Sequence, residues 1–290
     1  MNKRVLFTAV ESVLVTVMVL MVLAVVLPVF VCDQFRIGGH SMSPVLETGD
    51  HVLVNKLLFG ARIYRDYDFS KPDVESFRMP GFRKIRPGDI VVFNSTDARG
   101  DDTISFRINY VYAKRCIGCP GDTVWIEDGY YRNSRLSAPV GELSCQRELS
   151  SLPDEALRDR GVVMDAGQFA GWPGWTIRDF GPFYVPRQGD CISLDRQSAR
   201  IYGKLIQYET GYWPEVSADG RILIGGKEYG EYVFRENYYF FGGDNVIDSK
   251  DSRYIGPVPE EYIVGIATRV LFSRDYGGSL RKGRFLKALR

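Results

Sequence analysis

Three groups of residues in this sequence could carry out chemistry together. Ser41 lies in Gly39-His40-Ser41-Met42-Ser43-Pro44, a pattern that predicts a serine displayed on a tight loop. Lys114 lies within an otherwise apolar and aromatic run. A loop from Gly242 to Arg253 is dense in short polar residues, among them Ser249 and Asp251, which could orient a base and pair with Arg253, or it is only a turn. A serine activated by a neutral lysine is a nucleophile–base pair for acyl transfer; a simple turn serine is the alternative.

The two histidines, His40 and His51, are poor candidates for the base. His40 adjoins Ser41, and neighbouring side chains in an extended segment point in opposite directions. His51 follows in a predicted strand, too close in sequence to be an obvious partner. A lysine can take the role if burial keeps it neutral, since a fully buried lysine can have a pKa of about 5–6.

Lys114 meets that requirement if its run, Tyr110 to Ile117, is a strand. The two-residue period of a strand places Tyr110, Tyr112, Lys114 and Cys116 on one face and Arg115 on the other. The alternative is a surface lysine on a half-exposed strand.

An apolar segment precedes Ser41. Val13 to Cys32 contains no charged residue over 20 positions, roughly the 30 Å thickness of a bilayer core when helical. Asp33-Gln34-Phe35-Arg36 follows, where a cleaved signal peptide would have small residues, so we predict a retained anchor. Lys3 and Arg4 before it favour a cytoplasmic N-terminus.

Beyond the anchor, a Gly-Asp turn followed by a β-branched or apolar run recurs four times, starting at Gly49, Gly88, Gly121 and Gly189. Glycine supplies the positive φ of a tight turn and aspartate bonds its local backbone. Further predicted strands span 110–117, 232–241 and 262–272, whereas the best helical pattern, 151–160, is short. These patterns predict a mainly β protein with an antiparallel core.

Two regions interrupt this pattern. Residues 60–84 are predicted to form an extended loop or hairpin near the membrane, and residues 128–231, with Trp172-Pro173-Gly174-Trp175, an inserted second domain. The basic and apolar tail from Ser279 to Arg290 would either lie on an anionic membrane or be frayed. The predicted divisions are 1–12 cytoplasmic, 13–32 anchor, 33–127 core, 128–231 insertion, 232–275 core and 276–290 tail.

Charge and cysteine content exclude some functions. The 37 basic and 36 acidic residues give a net charge of +1, so we expect no nucleic-acid partner. Of the five cysteines, Cys116 and Cys119 form a C-x-x-C pair. Zinc is disfavoured because no second such pair or histidine cluster accompanies it, and two buried apolar residues are preferred over a redox pair. Cys145 and Cys191 could pair in an oxidising compartment.

Together these segments resemble the type I signal peptidases, membrane-anchored serine peptidases that remove signal peptides from exported proteins. The motifs occur in the family's order after an anchor: Ser41-Met42-Ser43-Pro44, Ile85 to Phe93, Lys114 to Asp122, Gly243-Asp244-Asn245, Ser249 to Arg253, Gly256 to Glu260 and Val264-Gly265. The resemblance covers the core and says little about residues 60–84 or most of 128–231.

The resemblance implies that Ser41 is the nucleophile and Lys114 the general base. Ser249 would orient the lysine amine, and Asp251 and Arg253 would pair to hold that loop. The Ser41 backbone N–H would donate to the oxyanion. Gly39 stands where many relatives have a serine whose hydroxyl also donates. Val246 and Ile247 depart from the charged pair common in the family.

The implied substrates are preproteins with small residues at the first and third positions before the cut. By position, the pocket candidates are Ile37, Met42, Leu46 and Ala113. The implied partners are signal peptides and the lipid bilayer, at a bacterial cytoplasmic membrane with the catalytic domain outside; we expect no metal and no cofactor. A self-cleaving repressor with a Ser-Lys pair is disfavoured by the anchor. A non-catalytic anchored binding module on this scaffold is the other alternative.

Overall fold

The computed structural model describes residues 3–65, 75–96, 102–167 and 174–289. Helix α1 (Lys3–Val26) continues into a π-helical turn (Leu27–Val31) that contains Pro28, a residue without the N–H of a regular helix. Residues Glu11–Val31 are apolar and long enough to cross a membrane, and none of that span is buried. The helix thus begins ten residues before the predicted anchor at Val13 and gives way to a strand at Cys32.

The main sheet confirms the predicted antiparallel β core. Its strands follow one another in the order β1-β2-β17-β5-β6-β15-β16, with β18 added to β17. Their bounds are β1 Cys32–Arg36, β2 Asp50–Asn55, β5 Ile90–Ser95, β6 Arg107–Gly118, β15 Tyr238–Gly242, β16 Val258–Pro259, β17 Ile263–Ser273 and β18 Lys287–Ala288. Every pairing in it is antiparallel.

The four Gly-Asp turns share one geometry. The φ angles of Gly49, Gly88, Gly121 and Gly189 are 93°, 97°, 84° and 85°, respectively. In each turn the aspartate carboxylate accepts a hydrogen bond from the backbone N–H three residues earlier, at 2.8–2.9 Å. A strand begins at or just after each aspartate. The predicted turn chemistry is therefore confirmed at all four sites.

The chain between the core strands forms small sheets and short helices. Strands β3 and β4 pair as the predicted hairpin in 60–84; residues 66–74 lie outside the described part. The bounds are β3 Arg62–Tyr64, β4 Ser76–Arg78, β7 Thr123–Glu127, β8 Tyr130–Asn133, α2 Leu143–Ser151, α3 Asp154–Asp159, β9 Phe180–Tyr184, β10 Cys191–Ser193, α4 Arg196–Ile201, α5 Gly203–Thr210, β11 Pro214–Val216, β12 Ile222–Ile224, β13 Lys227–Glu228, β14 Glu231–Val233 and α6 Ser252–Ile255.

Two sequence predictions in this part need correction. The helix predicted over 151–160 is shorter, because it begins only after Pro153, as α3 (Asp154–Asp159). The preceding helix α2 (Leu143–Ser151), which Pro153 cannot continue, was not predicted. The strand predicted over 232–241 is divided between β14 and β15. Trp172 and Pro173 of the predicted insertion lie outside the described residues. The domain boundaries remain predictions.

The hydrophobic core lies on both faces of the main sheet. A large cluster joins the sheet to the 128–231 region through residues such as Phe93, Phe183 and Phe240. A smaller cluster on the other face includes Met42, Leu46, Ile90, Val92 and Val270. Successive residues of β5 alternate between the clusters, as the two-residue period requires. The smaller cluster lies beneath the loop that carries Ser41.

The five cysteines are all free. Cys116 and Cys119 are buried, with their Sγ atoms 3.6 Å apart, and burial raises the pKa of the Cys116 thiol well above its usual range. Each sulfur contacts a backbone carbonyl, of Gly118 and Ile85 respectively. Their placement fits buried apolar residues. Cys145 and Cys191 are not paired.

The C-terminal tail is folded against the core and is not frayed. Strand β18 pairs with Arg269 and Val270 of β17, and the Leu289 N–H donates to the Thr268 carbonyl at 2.9 Å. Leu289 packs on the smaller cluster. The frayed alternative is therefore wrong for residues 281–289, because this segment completes one edge of β17.

Candidate active site

Ser41 lies on a loop, residues 38–49, which we call the nucleophile loop. The loop is closed at its base by two backbone hydrogen bonds of 2.8 Å, from Ile37 N–H to Asp50 O and from Gly49 N–H to Ile37 O. Met42, next to the serine, is 2% exposed and anchors the loop in the smaller cluster. The serine is thereby held at the edge of the sheet while its hydroxyl remains accessible.

Lys114 points at that hydroxyl. It lies on β6 and is 2% exposed, and its Nζ donates a hydrogen bond to Ser41 Oγ. Burial is the main cause that lowers the pKa of Lys114, to about 8; Asp251 opposes the change and Arg253 reinforces it. Among the described residues, no carboxylate forms an ion pair with this amine. A substantial neutral fraction is therefore available near neutral pH, as a general base requires.

The loop from Gly243 to Arg253 supports both residues. Asp251 and Arg253 are fully buried and form a bidentate pair, with N–O distances of 2.8 and 2.9 Å. Asp251 also accepts from the Gly243 N–H at 2.8 Å. The Arg253 guanidinium lowers the pKa of Asp251 although burial opposes this. The carboxylate therefore stays ionised and fixes the shape of the loop.

This loop also contacts the nucleophile loop directly. The Asn245 N–H donates to the Ser41 carbonyl at 3.1 Å, and its side-chain amide donates to the His40 carbonyl at 3.2 Å. Gly243 is required here because an added Cβ would lie 2.1 Å from Ser249 Oγ and 2.5 Å from the Ser41 carbonyl oxygen. The two loops are thus packed backbone to backbone.

Ser249 differs from the expectation. It is buried beside Gly243, but within the described residues its Oγ has no hydrogen-bond partner. The predicted hydrogen bond to the Lys114 amine is absent, and that amine instead contacts Ser41 Oγ. Ser249 is therefore near the site, but in this conformation it does not orient the base.

The predicted oxyanion donor is available. No described residue accepts a hydrogen bond from the Ser41 N–H. At Gly39 an added Cβ would meet nothing within 4 Å, so the missing side-chain donor is not a steric necessity of the fold.

A cleft of about 540 Å³ runs past Ser41 and Lys114 between residues 35–42 and 110–114. Ile37, Met42 and Ala113 line it, as predicted. Leu46 does not: it is fully buried in the smaller cluster behind Met42. The aromatic lining by Phe35, Tyr110 and Tyr112 was not predicted, although the two-residue period placed both tyrosines on the same face of the strand as Lys114.

A second missed feature is the ion pair between Arg115 and Asp244. The guanidinium binds the carboxylate through two hydrogen bonds of 2.6 and 2.7 Å, and both side chains are buried. Arg115 also donates to the Gly88 carbonyl at 2.6 Å. This pair joins β6 to the supporting loop. A charged residue next to Lys114 in an apolar strand was the signal for it.

Neither histidine pairs with Ser41. The His40 ring contacts Thr48 Oγ1 at 3.4 Å, and the His51 ring contacts the Gln34 amide at 2.7 Å and stacks on Phe272. In the described residues, no group of three or more His, Cys, Asp and Glu residues could hold a metal ion. Among the described residues, the hydrogen-bond partner of Ser41 Oγ is therefore the Lys114 amine.

Comparisons with known proteins match the parts of the chain that contain Ser41, Lys114 and the loop from Gly243 to Arg253. A family model described as signal peptidase, peptidase S26, matches residues 10–148 and 189–272. The signal peptidase I of Buchnera aphidicola subsp. Schizaphis graminum is 23% identical over 275 residues, which are 94% of this chain and 77% of the relative. That of Pseudomonas aeruginosa is 27% identical over 261 residues, 87% of this chain and 68% of the relative. A solved signal peptidase I from Enterococcus faecalis is 18% identical and covers 64% of this chain and 97% of its own, with a TM-score of 0.30.

Proposed function

The chain belongs to the signal peptidase family, peptidase S26, and we propose that it is a membrane-anchored serine endopeptidase with a Ser41 nucleophile and a Lys114 general base. Its substrates are the signal peptides of exported preproteins, as the names of its relatives suggest. The observation that carries this proposal is the hydrogen bond from the buried Lys114 amine to Ser41 Oγ.

The reaction is acyl transfer in two steps. Neutral Lys114 removes the Ser41 proton as Oγ attacks the scissile carbonyl, and the same lysine then protonates the departing amine. The product is an ester between Ser41 and the signal peptide. Water attacks this ester with Lys114 again as base, which releases the signal peptide and regenerates both residues. The Ser41 N–H stabilises the negative oxygen in each step.

The remaining polar residues would support this pair. Asp251 and Arg253 hold the loop that contacts the Ser41 carbonyl through Asn245. Ser249 is a candidate to orient the amine, since its Oγ is buried and unbonded in the described structure and a hydroxyl hydrogen can rotate to suit its partner.

The cleft suits an extended peptide with small side chains. Ile37, Met42 and Ala113 provide apolar walls on either side of Ser41. Strand β1, which precedes Ile37, is at the edge of the main sheet, and a peptide can pair with such an edge through its backbone. Affinity would come from the backbone and selectivity from the shallow walls, consistent with Ala-x-Ala sites.

The proposed location is a bacterial cytoplasmic membrane, crossed once by Glu11–Val31 with the N-terminus inside and the catalytic part outside. Strand β1 begins directly after this span. The Lys56 N–H donates to the Val31 carbonyl at 2.9 Å and its amine pairs with Asp33 at 3.1 Å. These contacts would hold the core close to the bilayer, where the cut site of a preprotein would emerge.

The proposed domain organisation is a core of residues 33–127 and 232–275, with the insertion at 128–231. The family model leaves 149–188 within that insertion unmatched, consistent with a segment added to the common core.

A preprotein with an Ala-x-Ala site tests this function. The purified wild type should cut it at that site, and Ser41→Ala, in which only the hydroxyl is lost, should not. Cleavage by both proteins would contradict Ser41 as the nucleophile. Cleavage by neither, from folded samples, would favour the non-catalytic binding module, which the intact Ser41 and Lys114 contact argues against.

A further inference from the structure

The proposed mechanism leaves one buried ion pair without a role. Asp50, at the base of the nucleophile loop, is fully buried and pairs with Arg284 near the C-terminus, whose side chain is 14% exposed. Arg284 Nε donates to one carboxylate oxygen at 2.7 Å, and Nη2 donates to the other. The guanidinium pulls the pKa of Asp50 below its usual value although burial opposes this, so the carboxylate is held as an anion.

Asp50 controls how the nucleophile loop closes. Its carbonyl accepts from the Ile37 N–H at 2.8 Å, and Ile37 lines the cleft. Its carboxylate accepts from the Glu47 N–H at 2.8 Å. A change in the position of Asp50 would therefore move both ends of the loop that carries Ser41.

The same tail contacts the loop at two more points. Arg284 Nη2 donates to the Val45 carbonyl at 3.0 Å, and Arg281 Nη1 donates to the Thr48 carbonyl at 2.9 Å. The Thr48 hydroxyl in turn donates to the Gly39 carbonyl at 3.1 Å, two residues before Ser41. The contacts thus extend from the tail to the oxyanion side of the site.

The tail is itself fixed to the sheet. Strand β18 pairs with β17, and Leu289 packs on the cluster that contains Met42. Arg269 on β17 donates to the Leu286 carbonyl at 3.0 Å. The segment can therefore transmit the rigidity of the sheet to the nucleophile loop.

We propose that residues 281–289 form a clamp that holds the nucleophile loop in its catalytic position, with Arg284 as the positioning residue. This inference rests on the proposed function, because it assigns the clamp to acyl transfer at Ser41. When a distant substitution misplaces the reacting groups by about 1 Å, the rate can fall about 10²-fold. Lysine keeps the positive charge of arginine but cannot make two parallel hydrogen bonds to a carboxylate. We therefore expect Arg284→Lys to lose less activity than Arg284→Met.

The test compares Arg284→Met, Arg284→Lys and the control Lys282→Gln. Lys282 is exposed on the same tail, and in the described structure it has no polar partner. We expect Arg284→Met to lower kcat about 10- to 100-fold with KM changed less than about threefold. Arg284→Lys should recover part of the loss, and Lys282→Gln should match the wild type. A folded Arg284→Met protein with wild-type kcat would overturn the clamp, as would an equal loss in Lys282→Gln.

Arg284→Met leaves a buried carboxylate unpaired, which can unfold the protein. The double variant Asp50→Asn with Arg284→Met removes that charge and keeps an oxygen acceptor for the Glu47 N–H. It should fold and still show the loss of kcat; full activity in this variant would refute the positioning role.

Hydrogen exchange separates failure of the clamp from failure of the proposed function. If the wild type does not cut preproteins, the peptidase assignment fails, but the amides of Leu46 and Glu47 still report on the loop. We expect them to exchange at least about tenfold faster in the double variant than in the wild type, since their acceptors would move. Unchanged exchange would mean that the tail does not hold the loop.

Discussion

Lys114 and Arg115 are adjacent on β6 and both are buried, but the groups that surround the two side chains differ. Lys114 is 2% exposed and Arg115 is 6% exposed. The two-residue period directs them to opposite sides of the strand. Arg115 binds the Asp244 carboxylate through two hydrogen bonds, whereas among the described residues the hydrogen-bond partner of the lysine amine is the neutral Ser41 hydroxyl.

This difference separates a structural cation from the proposed general base. Burial disfavours any charge, and a bidentate carboxylate compensates for it. Lys114 has no such carboxylate pair in the described structure, and burial lowers its pKa to about 8 although Asp251 opposes the change. Arg253 repeats the arginine pattern, since Asp251 raises its pKa against the effect of burial. The two arginines near Lys114 are thus each paired with a carboxylate. Among the described residues, no carboxylate forms an ion pair with Lys114 itself.

The largest effect is expected from Lys114→Met, which removes the base. Turnover should fall by at least about 10³-fold, because no other described group contacts the Ser41 hydroxyl. The protein should remain folded, since methionine fills the volume without a buried amine. Preprotein cleavage and thermal unfolding measure the two effects. Retained cleavage would exclude the Ser41–Lys114 pair.

The same substitution one residue later, Arg115→Met, should act on stability first. It leaves the buried Asp244 without its partner, and removing one member of a buried pair costs about 3–5 kcal/mol. Denaturant unfolding of the two variants side by side makes the comparison direct. Equal stability of Arg115→Met and Lys114→Met would contradict the division of roles.

Gly39→Ser should give a moderate gain. A Cβ at this position meets nothing within 4 Å, so the serine can add a hydroxyl donor on the oxyanion side. One such donor is worth about 10²–10³ in rate when well aligned, and we expect a rise in kcat of about tenfold. Gly39→Ala is the matched control. A serine variant no faster than the alanine variant would show that the hydroxyl does not reach the oxyanion.

The smallest effect should come from replacing Cys116 and Cys119 together by serine. Both thiols are buried and contact backbone carbonyls that a hydroxyl can also bond. The rate of cleavage should stay within about threefold of the wild-type rate, because neither thiol contacts Ser41 or Lys114. A folded double variant without activity would revive the redox interpretation of this pair.

Features set by short stretches of sequence could be predicted. The Gly-Asp turns depend on a positive φ and a carboxylate three residues from its donor, and all four were found. The period of two placed Lys114 and Arg115 on opposite sides. The N-terminal apolar helix followed from length and composition, although it begins earlier than predicted.

Features that depend on contacts between distant segments could not be predicted from the sequence. Leu46 is buried because the nucleophile loop folds over the smaller cluster, and the Lys114 amine contacts Ser41, not Ser249. The docking of the tail depends on Arg284 meeting Asp50 across 234 residues. No local pattern in the sequence distinguishes that arginine from its exposed neighbours.

The most direct measurement is the pH dependence of kcat/KM for preprotein cleavage by the wild type. Because Lys114 acts in its neutral form, activity should be lost as the pH falls through a single ionisation near 8. It should reach a plateau well below the usual lysine pKa of about 10.4. A profile that is flat from pH 6 to about 9, or that rises only near pH 10, would contradict a buried, unpaired lysine as the base.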